Sequence, residues 1–329
     1  MQLNRIAIVG LGSIGKRHLR LIKEIRPNIE VTLIRSGVGP YSPEEDMVER
    51  VVFSIDEALK YGIDAAIISS PAPFHVEQSI RLLKAGVHLL IEKPLSDRLD
   101  NLDNLVRVAN ESNTKVMVGY VLRYDPAAIE FKKMIESDEI GALMHINIEC
   151  GSYLPDWRPG HDYKKTVSAL SNLGGGVLNE LSHELDYFHW FFGKPTFVFS
   201  RLKNSKTLEI DVEDQADMLF TTNSDISAVM QIDFNRRHPV RICTLQTTKG
   251  ELIWNAGEKS VEWSPSSGKT KKEIFDFNRD YIYKEQLEHF IDCVENNIQP
   301  MVTLHDGVVV VKMIDSIRKS NLERKMVAL

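Results

Sequence analysis

The chain has 329 residues, 43% of them hydrophobic and 26% charged, and its 46 acidic side chains against 40 basic ones leave a net charge of −6. That length is about twice a usual domain and predicts two domains with separate cores, while the acidic balance argues against a nucleic-acid partner. Cys150, Cys243 and Cys293 are too few and too scattered for a disulfide framework and suit a reducing compartment, the cytoplasm; with no signal-type start and no apolar stretch of bilayer length, no membrane partner is expected.

Residues 6–9 read as a short strand, Gly10-x-Gly12-x-x-Gly15 as a tight turn, 16–25 as an amphipathic helix ended by Pro27, and 31–34 as a second strand. In that context the glycines permit the turn, the close approach of a pyrophosphate and close helix packing. Gly10, Gly12, Ser13, Ile14 and Gly15 are therefore expected to hold a dinucleotide at the helix N-terminus. About 20 residues beyond the last glycine, where an NAD-binding unit commonly places an acid on the ribose, stand Arg35 and Ser36. A guanidinium there can pair with a 2′-phosphate, so NADP is expected ahead of NAD.

The alternation continues with a strand at 64–68, a turn at 69–73, a helix at 75–85, a strand at 87–91 that delivers Glu92-Lys93-Pro94, a helix at 101–111 and a strand at 115–119. This predicts an α/β fold with a parallel doubly wound sheet. Its ligands lie outside the carboxyl ends of the strands, where Ser70, Pro71, Pro73, His75, Glu92, Lys93 and Pro94 fall. Lys93 is the expected catalytic residue, since an amine exchanges a proton when desolvation and neighbouring charge lower its pKa, and hydride transfer at an alcohol carbon needs such a partner.

Gly10-Leu11-Gly12-Ser13-Ile14-Gly15, Ser70-Pro71-Ala72-Pro73-Phe74-His75 and Ala85-Gly86-Val87-His88-Leu89-Leu90-Ile91-Glu92-Lys93-Pro94-Leu95 together resemble the Gfo/Idh/MocA family of NAD(P)-dependent sugar and polyol oxidoreductases. Tyr120-Val121-Leu122-Arg123-Tyr124-Asp125-Pro126 resembles the family's crossing into its second domain, Gly174-Gly175-Gly176 the opening of its catalytic helix, and His305-Asp306-Gly307 the start of its closing helix. The resemblance implies a Rossmann domain over 1–120 and an α/β domain over 121–329, with helix 305–320 packing back on the first. It also implies a large open, mostly antiparallel mixed sheet that joins copies into a homodimer or homotetramer. Tyr120 and Arg123 are expected at the substrate, Arg123 also at the cofactor, and the Lys93–Pro94 peptide is expected to be cis.

Beyond Arg123 a helix is predicted at 126–137 and a strand at 142–150. The polar, aromatic stretch 151–173 is long for a loop without a role. Trp157 and Tyr163 can stack on a sugar ring and Arg158 and Asp162 can bind hydroxyls or an anionic group, or the aromatics pin a surface loop. Residues 177–192 predict one helix with Leu178, Leu181, Leu185 and Phe188 facing the core and Asn179, His183, Asp186 and Trp190 on another face. His183 is the expected second catalytic group. Its polar neighbour one turn earlier is Glu180 counted from the glycines or Asn179 counted back from the histidine, and both stay open. No zinc spacing surrounds His183, so no metal is expected. Strands at 195–199, 216–221, 226–234, 240–247 and 251–254 suit one large sheet, and helices at 282–295 and 306–320 close the chain.

The expected function is hydride transfer between NADP or NAD and a sugar, polyol or nucleotide-sugar hydroxyl or carbonyl. The stretches 153–163 and 180–187 resemble members linked to bacterial surface-polysaccharide sugar synthesis. The alternative is a non-catalytic NAD(P)-binding regulator of the same fold, against which the presence of both Lys93 and His183 weighs.

Overall fold

The computed structural model describes residues 2–38 and 40–329. They form two compact units, one built from the chain up to Val121 with Asn278–Val308, the other from Leu122–Phe277 with Val309–Leu329. In the first, β1 (Arg5–Val9), β2 (Glu30–Ile34), β3 (Arg50–Val52), β4 (Ala65–Ile68), β5 (His88–Ile91) and β6 (Val116–Val118) make a parallel sheet in the order β3-β2-β1-β4-β5-β6. Helices α1 (Ser13–Ile25), α2 (Ile55–Leu59), α3 (His75–Lys84) and α4 (Leu102–Ser112) connect them. Ile6, Ala7, Ile8 and the whole of β4 are inaccessible to solvent, as central parallel strands between helical layers must be. The chain runs outward from β1 to β3 and returns to β4 on the other side, so the carboxyl ends of β1 and β4 border the switch-point crevice.

The helix Arg279–Glu295 lies against α1 through paired charges: Arg20 with Asp280 at 2.7 Å, Glu24 with Lys284 at 2.7 Å and Arg26 with Glu295 at 3.0 Å. Residues 278–308 therefore belong to the first unit, where sequence order had assigned them to the second domain.

The second unit contains α5 (Pro126–Ile135), β7 (Leu143–Gly151), α6 (Val177–Glu180), α7 (His183–Phe192), β8 (Phe197–Lys203), β9 (Gln215–Thr221), β10 (Ser227–Asp233), β11 (Val240–Thr247), β12 (Gly250–Asn255), β13 (Ser260–Pro265), β14 (Lys271–Ile274) and β15 (Val327–Ala328). Its nine strands run β14-β13-β12-β11-β7-β10-β9-β8-β15, and β7 with β10 is parallel while the other pairs are antiparallel. Alternate residues, among them Ile146, Ile148, Met230, Ile232 and Leu245, are buried under the helices. Tyr187 of α7 meets Trp254 of β12 edge-on at 5.0 Å, fixing α7 on the sheet.

The helix predicted over 177–192 is two helices. Leu181 leaves helical geometry, with ψ of +28°, and α7 starts afresh at His183. Asn179 and His183 thus do not share a helical face. Among the described residues no helix is long and apolar enough to cross a membrane.

Candidate active site

The glycine turn between β1 and α1 is shaped for a ligand that approaches backbone. Gly10 has φ of +90°, and a Cβ on Gly15 would lie 2.2 Å from the Gly10 carbonyl oxygen, so both positions require glycine. A Cβ on Gly12 would meet nothing within 4 Å: that side is open. The first turn of α1, with Ser13 exposed and Ile14 half-buried, carries no acidic side chain to compete with an anion. These residues fit the pyrophosphate of NAD(P). Ser70, Pro71 and Pro73 are half-buried at the end of β4, and Ser70 Oγ donates to Gln78 Oε1 at 2.6 Å. Ser36 is exposed. Arg35, expected to meet a 2′-phosphate, is instead ion-paired with Glu45 and donates to the Pro40 carbonyl oxygen at 3.1 Å. Glu45 went unnoticed in the sequence, although Ser42-Pro43-Glu44-Glu45 carries the capping-box spacing that could have found it.

At the end of β5, Lys93 is half-buried and the Lys93–Pro94 peptide is cis. The residues around it are held by internal hydrogen bonds. Glu92 Oε1 lies 2.7 Å from His18 Nε2 and Glu92 Oε2 accepts from the Lys93 backbone N–H at 3.2 Å, with Glu92 only 6% exposed. His75 is buried too, its Nδ1 3.0 Å from the Pro94 carbonyl oxygen and its Nε2 2.7 Å from that of Ser70. Burial lowers its pKa and favours the neutral ring, whose single N–H donates to one carbonyl at a time. The His75 and Glu92 side chains, expected at the cofactor, make internal contacts that shape the Lys93 turn. Tyr120, expected at the substrate, has no exposed surface.

In the second unit the turn Gly174–Gly176 is locked from several directions. A Cβ on Gly175 would come within 2.4 Å of the Val167 carbonyl oxygen. Asn179 Nδ2 donates to the Gly174 carbonyl at 2.9 Å, and its Oδ1 accepts from Arg318 at 3.3 Å. Beside it, burial pushes the Glu213 carboxyl above the usual carboxylate range. Asn179, 1% exposed, thus braces the glycines. Glu180 is half-buried and accepts from Ser168 Oγ at 3.0 Å, and His183 is half-buried at the start of α7. Arg123, expected at cofactor and substrate, is 3% exposed and makes a bidentate pair with Asp186 at 2.7 and 3.1 Å.

The long stretch after β7 is a series of short turns with pinned aromatics. Trp157 Nε1 donates to Ser152 Oγ at 2.7 Å and its ring meets Phe234 edge-on at 5.2 Å. Tyr163 donates to the Leu208 carbonyl at 3.0 Å, Asp162 caps the Lys164 N–H at 3.1 Å, and Arg158 is half-buried.

Residues 4–120 match the family model described as an oxidoreductase family with an NAD-binding Rossmann fold, and residues 129–253 match the GFO/IDH/MocA C-terminal domain. The chain belongs to the Gfo/Idh/MocA family. As a member it is an NAD(P)-dependent oxidoreductase acting on a CH–OH group, and the family carries the enzyme reading rather than the regulatory one. Among its relatives, the scyllo-inositol 2-dehydrogenase (NAD(+)) of Bacillus subtilis (strain 168) is 25% identical over 93% of this chain and 90% of that protein. The fold matches levoglucosan dehydrogenase in complex with NADH and levoglucosan, with TM-score 0.88 at 16% identity over 99% of each chain. It also matches the WlbA dehydrogenase from Chromobacterium violaceum in complex with NADH and UDP-GlcNAcA, with TM-score 0.84 at 18% identity over 100% of this chain and 96% of that one.

Proposed function

We propose that this enzyme moves a hydride between NAD(H) and a carbinol or carbonyl carbon of a sugar, polyol or nucleotide-linked sugar. The observation that carries the reading is Lys93, half-buried at the end of β5, in the sheet whose glycine turn stands open. The substrate class is supported by relatives that act on inositol and by folds solved with levoglucosan or UDP-GlcNAcA. A nicotinamide dinucleotide held at the Gly10–Gly15 turn would supply or accept the hydride. Lys93 exchanges the proton of the reacting oxygen or steadies its charge, and His183 with Glu180 supplies the second acid–base pair. Glu180 is preferred over Asn179 because the Asn179 amide is already engaged with Gly174 and Arg318. NADP(H) would rank first only with Arg35 free for a 2′-phosphate, and its pairing with Glu45 favours NAD(H). The test is reduced-nicotinamide absorbance with a panel of sugars, polyols and nucleotide sugars; a full panel without turnover in either direction would overturn the reading.

Trp157 and Arg158 are proposed to border the substrate, while Asp162 and Tyr163 hold the segment in shape. Trp157→Ala is expected to raise KM for the sugar about tenfold with NAD(H) affinity preserved. An unmoved KM would reduce the segment to scaffold.

We also propose that copies associate as a homodimer or homotetramer through the outer face of the nine-stranded sheet. Phe199 and Leu219, opposite one another on β8 and β9, are 44% and 40% exposed, an apolar strip that water covers at a cost. Light scattering should report an oligomer for the parent chain and a monomer for Phe199→Glu with Leu219→Glu; a monomeric parent would refute the assignment. The free, buried Cys150, Cys243 and Cys293 suit a reducing compartment, for which the cytoplasm is proposed.

A further inference from the structure

Arg35 follows β2 directly, where the adenosine ribose of a dinucleotide meets a Rossmann unit. The Arg35 and Glu45 side chains are only 15% and 14% exposed and in ion-pair contact, and the guanidinium also donates to the Pro40 carbonyl oxygen at 3.1 Å from both terminal nitrogens. Lys16, in the first turn of α1, is handled alike: its Nζ meets Glu44 at 2.9 Å and Ser42 Oγ at 2.6 Å. Hydrogen bonds from Ser42 and Lys16 hold the Glu44 carboxyl at about 2, so it is ionised at any working pH. The Glu45 carboxylate is fixed by the turn itself, since it accepts from the Ser42 N–H at 2.8 Å in a capping box.

We infer that Glu45, rather than the residue ending β2, sets dinucleotide choice: it neutralises Arg35 and presents a carboxylate where a 2′-phosphate needs cations, so the enzyme accepts NAD(H) and refuses NADP(H). The inference rests on the NAD(H) reading of the glycine turn. A phosphate monoester carries about −1.5 to −2 charge at neutral pH. Beside Glu44 and Glu45 it meets like charge, and Arg35 cannot turn to it without leaving Glu45 half-buried and unpaired.

Calorimetric titration of the full chain with NADH and NADPH tests this. The parent should prefer NADH. Glu45→Gln keeps an acceptor for Ser42 and removes the charge. It should raise NADPH affinity relative to NADH about ten- to a hundredfold, the worth of a charge-assisted contact returned to Arg35. Glu45→Ala should move the ratio in the same direction, and adding Arg35→Ala should remove the share of the gain that Arg35 supplies, leaving the relief of like charge. An unchanged ratio, a gain undiminished by loss of Arg35, or a parent that prefers NADPH would overturn the role of Glu45. A parent that binds neither dinucleotide would overturn the NAD(H) reading beneath it.

Discussion

A Lys93→Met protein is expected to turn over about 10²- to 10⁴-fold more slowly than the parent and still to bind NAD(H), the loss being that of a positioned proton partner. Methionine occupies the same half-buried place without the amine, and the supports of the turn stay: Glu92 on His18 and Pro94 on His75. When a hydride moves at carbon, the attached oxygen must change protonation with it. The loss therefore falls on kcat more than on dinucleotide affinity. His183→Ala should act in the same direction. Steady-state turnover on an identified sugar, read beside an NAD(H) titration, is the measurement, and turnover close to that of the parent would mean that the proton travels by another route.

Arg123→Met is expected to destabilise the second unit by about 3–5 kcal/mol, because it removes one partner of a buried charge pair. The side chains of Arg123 and Asp186 are 4% and 1% exposed, and the guanidinium also lies 5.8 Å from the Trp190 ring centre. Asp186 cannot reach water to recover the lost hydrogen bonds. Replacing both partners with apolar residues, Arg123→Met with Asp186→Leu, should restore most of the stability, since both charges of the buried pair are then removed. Denaturant midpoints of the parent, single and double variants decide the matter: a single variant as stable as the parent would show that the pair contributes little. Because Asp186 sits one turn after His183 on α7, the single variant should also lose activity through misplacement of that helix.

Five strands of the first sheet were legible because each shows as a short, buried apolar run. Arg50–Val52 and Lys271–Ile274 escaped notice because one is only three residues long and the other is exposed along its whole length. Lys93 and the glycine turn could be read because their meaning lies in local order. Arg35, Arg123, His75 and Glu92 share a feature that local sequence does not show: each has a partner within the chain, distant in sequence or formed by backbone, beside the ligand role that its position suggests. Those partners are Glu45, Asp186, two backbone carbonyls and His18. The break at Leu181 was hidden as well, since its apolar spacing is that of an uninterrupted helix. The attachment of Asn278–Val308 to the first unit depends on charges 263 positions apart, as with Arg17 and Asp280.

In the second sheet β7 is wedged between β10 and β11, two strands consecutive in the chain. On either side the strands β8–β10 and β11–β14 are meanders that form from sequence neighbours, at small loop-closure cost. The wedge is different: pairing Leu143–Gly151 with Ser227–Asp233 closes the entire connection that carries Trp157, Glu180 and His183. Completing the sheet and assembling this half of the chemistry are then a single event. A chain whose two meanders formed without the wedge would keep many of its hydrogen bonds and leave Glu180 and His183, the residues proposed for acid–base work, unplaced.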